Sequence, residues 1–205
     1  MNRFVLVGAL VFLMAGLSQA ATGPPGLDLF VDVRMGNDLG SCRSAGNACR
    51  TIQAAVDRIP AVLTEDVVVH IAAGVYAEPI LLIDRMAPRD HQIRLVGESQ
   101  VSIVPPPGFE GNGITVRRAP RVVLENLGVE GFATGLLVRL SEVTVSNTRI
   151  TGSTQIGIEC EKGWVSLQAA GGGPGVSIVN DYSGIGITAT CGCHVQFEGA
   201  TWIAG

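Results

Sequence analysis

The sequence predicts an all-β solenoid of stacked coils, and three observations carry that prediction. A glycine-led block recurs as Gly113-Ile114-Thr115-Val116, Gly135-Leu136-Leu137-Val138, Gly157-Ile158-Glu159-Cys160 and Gly186-Ile187-Thr188-Ala189, at spacings of 22, 22 and 29 residues. A short β-rich period of this length belongs to repeats that stack on one another. A second block recurs with it: Val122, Leu124 and Asn126 align with Val143, Val145 and Asn147, and Val129 and Gly131 align with Ile150 and Gly152. Finally, only 16% of residues are charged while 27 are glycine, a balance that suits short Val/Ile-rich strands and tight turns.

Taken in chain order, residues 1–20 read as a secretion signal. Arg3 supplies the positive start, an apolar stretch from Phe4 to Leu17 follows, and Ser18-Gln19-Ala20 offers small residues for cleavage. The stretch is short for a spanning helix, and no other segment is long enough, so no membrane insertion is expected after cleavage. The expected setting is secreted or periplasmic. Residues 21–205 form one predicted domain, large enough for a real core. Gly23-Pro24-Pro25-Gly26 reads as a leader. A strand is expected over 29–33 and a polar, glycine-rich loop over 35–47. A helix is expected over 51–58, where Ile52, Ala55 and Val56 share a face, Thr51 caps the start and Pro60 stops it. Such a helix would cover the first coil of a solenoid. Strands are then expected over 66–73, 80–83, 92–96 and 101–104, before the repeat takes over at Gly113.

Alternation within a strand turns the repeat into columns. Ile114, Leu136, Ile158 and Ile187 point inward, as do Val116, Val138, Cys160 and Ala189. Thr115, Leu137, Glu159 and Thr188 point outward, as do Arg117, Arg139, Glu161 and Thr190. Asn126 and Asn147 suggest an asparagine stacked at successive turns. Gly171-Gly172-Gly173-Pro174 is an inserted loop that lengthens the last step.

Five cysteines are present: Cys42, Cys49, Cys160, Cys191 and Cys193. Export permits disulfides. Cys42 and Cys49 flank one loop and are the natural first pair. Cys160 pairs with Cys191 or Cys193 on the next coil, and one cysteine is left over. No spacing fits a zinc site. The net charge of −4 is mild and no Lys/Arg run exists, which argues against nucleic acid as a partner.

Cys49-Arg50-Thr51-Ile52-Gln53-Ala54-Ala55-Val56-Asp57, Val69-His70-Ile71-Ala72-Ala73-Gly74-Val75-Tyr76-Ala77-Glu78 and Ile93-Arg94-Leu95-Val96-Gly97-Glu98 together resemble the N-terminal segment of pectin-lyase-like proteins. The resemblance implies a right-handed parallel β-helix with a short N-terminal capping helix. It also implies a secreted protein that binds or cuts polysaccharide along one elongated face. The catalytic relatives use clustered aspartates, a Gln-Asp pair, or a calcium site of several carboxylates with an Arg base. Here Asp181 is the only aspartate between residues 92 and 205. The expectation is therefore a polysaccharide-binding protein without a recognisable active site. A pectin lyase or esterase and an adhesive surface module are the alternatives.

Arg117 and Arg139, with Glu159 and Glu161 on the next coil, form the candidate binding face. Arginine suits the carboxylates of an acidic sugar chain, and the alternative is a solvated face with Arg139 laid over Glu161. Arg118 and Arg121 lie near these arginines. His70 is expected at the edge of the core with a backbone partner. Asp32 and Asp38 are expected in Asx turns, with Ca²⁺ at that loop as the alternative; no other cofactor is expected. Trp164 and Trp202 suit sugar stacking or a core position. The chain stops at Gly205, a few residues into a new coil, so self-association through the C-terminal coil is expected.

Overall fold

The computed structural model describes residues 26–169, 175–179, 184–199 and 201–204. The expected signal segment, the inserted loop at 171–174 and Asp181 lie outside them, as does the side chain of Trp202. The described chain is all-β, with one short helix, α1 (Ile52–Val56). Its strands are β1 (Leu27–Val31), β2 (Val67–Ile71), β3 (Gly74–Ala77), β4 (Ile80–Ile83), β5 (Ile93–Val104), β6 (Asn112–Arg117), β7 (Val122–Glu130) and β8 (Thr134–Arg139). They continue as β9 (Glu142–Ser146), β10 (Arg149–Thr151), β11 (Ile156–Glu161), β12 (Trp164–Gln168), β13 (Val176–Val179), β14 (Ile185–Thr190), β15 (His194–Glu198) and β16 (Thr201–Ala204).

These strands form an 11-stranded and a 5-stranded sheet, and every strand pairing described is parallel. Register, rather than proximity alone, makes the core. In the smaller sheet Ile80, Ile114, Leu136, Ile158 and Ile187 fall in one row. The larger sheet contributes the row Leu29, Val69, Leu95, Leu124, Val145, Leu167 and Phe197. A further row runs Tyr76, Ile103, Val129, Ile150, Ile178 and Ile203. Most members of the three rows are buried, whereas Phe197 and Ile203 remain half exposed. The inward columns read from the repeat are the columns of the core as far as β11; in β14 Ile187 is only half buried and Ala189 is exposed, and Thr115 and Leu137, expected to point outward, are buried.

The corners between strands are also columnar. Asp84, Arg118, Leu140, Lys162 and Cys191 all have φ near +50°. Each follows a strand of the smaller sheet, and each of the first four donates its N–H to a carbonyl of the next repeat. Asn126 and Asn147 occupy the same left-handed region at another corner, which asparagine tolerates better than most residues.

The glycine that opens each repeat has a steric cause. A Cβ at Gly135 would stand 2.3 Å from Ile150 Cγ2 and 2.8 Å from the Gly157 carbonyl oxygen; at Gly157 it would stand 2.5 Å from Ile178 Cγ2 and 2.6 Å from the Gly186 oxygen. The smaller sheet and the Val129-Ile150-Ile178-Ile203 row approach so closely that no side chain fits between them.

Three boundaries differ from the sequence expectation. The first strand covers Leu27–Val31, because the Asp32 carboxylate accepts the N–H groups of Arg34 and Met35 and turns the chain there. The helix is shorter than 51–58; beyond Val56 the bonds tighten to Arg58 N–H to Ala55 and Ile59 N–H to Val56 before Pro60. The segments 92–96 and 101–104 belong to one strand whose register breaks between Val96 and Val101.

Thr51 caps the helix as expected, its hydroxyl accepting Ala54 N–H. Glu78 adds a second cap from β3's end, its carboxylate accepting Ile52 N–H at 2.8 Å and Gln53 N–H at 3.0 Å. Burial raises the Glu78 pKa in spite of these bonds. Gln53 reaches β4, where its amide oxygen accepts Leu81 N–H at 2.7 Å and its amide nitrogen faces Leu81 O at 3.4 Å.

Disulfides join Cys42 to Cys49 and Cys160 to Cys193, leaving Cys191 as an exposed thiol. Among the described residues no helix is long and apolar enough to cross a membrane.

Tyr76 leads to a pH prediction. Its ring is 1% exposed, its hydroxyl donates to Ala72 O at 2.8 Å, and burial pushes its pKa from 10.0 up to about 12. The folded protein keeps the proton that the unfolded chain releases. Stability should therefore be unaffected by this group below about pH 10, fall as pH rises to about 12, and level off above, a loss of about 3 kcal/mol. Urea titrations across that range should show the fall in the wild type and a flattened one in Tyr76→Phe.

Candidate ligand-binding groove

Opposite in parity to Tyr76, Ile103, Val129, Ile150 and Ile178, the residues Val75, Ser102, Gly128, Arg149 and Ser177 form an outward row across five strands. Neighbouring parallel strands lie about 4.8 Å apart, so the row is long. The left-handed bends at Asn126 and Asn147 turn β7 and the β9–β10 connection, and the surface they border is made of the bend residues and those that follow them. Ser99 and Gln100, at the register break of β5, stand at one side. Arg34, held just beyond β1 by the Asp32 turn, stands at another. The result is a groove of about 790 Å³ whose lining includes all of these groups.

Its floor is low in the middle. Ser102 and Ser177 are small and Gly128 has no side chain, while Arg149 rises between them. The Glu130 carboxylate crosses the gap: Oε1 is 3.5 Å from where a Cβ of Gly128 would stand. Arg34 and Arg149 are exposed, and neither is in an ion pair among the described residues. Two backbone N–H donors hold the neighbouring Asp32 carboxyl below the ordinary carboxylate range, so it stays ionised as the turn's anchor.

The groove suits a long polar ligand with acidic groups, because guanidinium binds carboxylate by two parallel charge-assisted hydrogen bonds. Glu130 is the only carboxylate among the described residues that line the groove, and paired-carboxylate chemistry needs an acid and a base across the scissile bond.

The residues named from the sequence lie on the smaller sheet instead. Register places Arg117 beside Arg139, Arg139 beside Glu161, and Glu159 between Leu137 and Thr188. Arg139 Nε and Glu161 Oε2 form an ion pair at 2.6 Å. Arg117 Nε is shielded from solvent and has no hydrogen-bond partner. Arg118 is paired with Asp84, and this bond keeps the Asp84 carboxyl below its usual pKa; Arg121 pairs with Asp90. None of them lines the groove.

His70 departs from the expected backbone partner. Its Nε2 meets Asp28 Oδ1 at 2.9 Å, and its ring stacks on Phe30 at 4.9 Å. Asp38 is consumed by the N–H groups of Arg50 and Thr51 and by the Thr51 hydroxyl. Among the described residues no group of three or more His, Cys, Asp or Glu is placed to hold a metal ion. Trp164 is partly exposed and stacks on His194 at 4.1 Å.

Arg34, Glu130 and Arg149 escaped sequence reading, although one signal was available. Once Val129 is aligned with Ile150, Gly128 must sit beside Arg149 on the opposite surface. Comparison with known proteins finds no matching family model, no similar curated protein and no similar solved structure.

Proposed function

We propose that the chain is a right-handed parallel β-helix of the pectin-lyase-like kind, exported to an oxidising compartment, that binds an acidic polysaccharide along the groove without cleaving it. The observation that carries this reading is the row Ser102-Gly128-Arg149-Ser177, small and polar, with Arg34 and Arg149 as cations outside any ion pair described. The two disulfides favour an extracellular setting. A single lining carboxylate favours binding over hydrolysis.

Titration calorimetry with polygalacturonate and a neutral glucan tests it. Binding should select the acidic chain and weaken with salt. Arg149→Ala and Arg34→Ala should each weaken it about 10- to 100-fold, the value of a lost charge-assisted bond. If Arg117→Ala and Arg139→Ala abolish binding while the groove variants do not, the ligand lies on the smaller sheet. Release of unsaturated uronates or methanol would sink the non-catalytic reading.

A further inference from the structure

The corner that closes the last described strand of the smaller sheet has a cysteine at its left-handed position, Cys191, where the earlier corners of that sheet have Asp84, Arg118, Leu140 and Lys162. Thr190-Cys191-Gly192-Cys193 is a tight turn: φ is +54° at Cys191 and +83° at Gly192, and Cys193 N–H bonds Thr190 O at 3.1 Å. Two successive residues with positive φ make the mirror-image β-turn that favours glycine at its second central position. The turn therefore holds a free, exposed thiol two residues from a disulfide sulfur. The two ends of that disulfide differ. Cys160 is fully buried in the inward column, whereas Cys193 is only partly buried against the core.

We infer that Cys191, Cys193 and Cys160 form an internal thiol–disulfide exchange centre that can release the covalent tie between the last repeat and β11, leaving β14 held there by its strand pairing alone. The Cys191 thiolate attacks Cys193 Sγ, the more accessible end. The Cys160–Cys193 bond breaks, a Cys191–Cys193 bond forms within the turn, and Cys160 leaves as a thiolate. The proton given up by Cys191 is returned to Cys160, whose apolar surroundings favour the neutral thiol. One disulfide replaces another, so no outside oxidant or reductant is consumed. What changes is reach. The original bond spans a sequence separation of 33 and ties β11 to the segment after β14; the new one ties the turn only to itself. The residues it releases are already the least buried of the described fold, with β14 and β15 wholly exposed or half buried.

Alkylation of the native protein tests this. The full chain is held at about pH 8.5, near the ordinary thiol pKa, quenched at intervals with N-ethylmaleimide and digested without reduction. Label should start on Cys191 and spread to Cys160, and Cys191→Ser should lose the Cys160 label. Label confined to Cys191, label arriving on Cys193 instead, or equal Cys160 label in Cys191→Ser would each overturn the route. Cys160→Ser gives an independent reading. With oxidised glutathione supplied as the two-electron oxidant and released as two reduced glutathiones, the Cys191 and Cys193 thiols of this variant should close into an intrachain disulfide with no titratable thiol, and two free or glutathionylated thiols in the folded variant would count against the centre.

Discussion

Gly135→Ala should destabilise the protein by about 1–3 kcal/mol or more, despite adding a single methyl group. The new Cβ would stand 2.3 Å from Ile150 Cγ2 and 2.8 Å from the Gly157 carbonyl oxygen. Ile150 is itself buried, and its β-branch leaves it few rotamers into which to retreat. The carbonyl belongs to the next repeat, so relief there would displace a second rung. Helix or strand propensity predicts the opposite sign, because alanine restricts the unfolded chain more than glycine does. Gly46→Ala serves as the contrast. Nothing lies within 4 Å of its Cβ position, and its effect should stay within about 0.5 kcal/mol. Urea midpoints at unchanged m-value measure both. Equal midpoints for Gly135→Ala and the wild type would show that the sheets separate easily, contrary to the packing described.

Phe132→Ala should cost about 3–5 kcal/mol, the usual range for truncating a fully buried aromatic. Phe132 is 0% exposed and meets Phe109 edge-on at 6.1 Å. Its ring fills the notch left by Gly113, with Cδ2 2.7 Å from where a Cβ of Gly113 would stand. The next repeat answers the same need differently, with Ser153 Oγ 3.2 Å from the corresponding point at Gly135. This complementarity makes a second observable. Gly113→Ala should cost less in the Phe132→Ala background than in the wild type, since one of its clashes has been removed. Residues in contact give such non-additivity, and distant ones do not. Strict additivity in a double-mutant cycle would show that ring and glycine do not share the space.

Most of the architecture was legible because a repeat multiplies a weak signal. One strand with Ile at an alternating position says little, whereas Ile114, Leu136, Ile158 and Ile187 at fixed spacing specify a row, and the pairing register agrees with it. The asparagine corners were legible for the same reason. The ends of elements were less so. Asp32 ends β1 through hydrogen bonds to its own following backbone, which apolar patterning does not report. Pairing of Cys160 stayed open because Cys191 and Cys193 both lie near the required row, and only the direction of the turn selects between them.

The candidate site was harder to read. The arginine ladder of the smaller sheet stood out because Arg117 and Arg139 follow conspicuous glycine blocks, yet one of the pair is bound to Glu161. The groove depends on Arg34, Ser99, Glu130 and Arg149, which come from four separate stretches. No local spacing joins them. They meet because β5 breaks register and the chain bends at Asn126 and Asn147, both properties of tertiary geometry.

Gln53 has a consequence for how the protein meets other chains. A parallel strand arriving at the outer side of β4 would seek the N–H and carbonyl of Leu81, and the Gln53 amide already engages both. The side chain is a counterfeit rung, one peptide-like group standing where a whole strand would otherwise be recruited. An invading strand must evict it first, so β4 is guarded by occupancy rather than by charge.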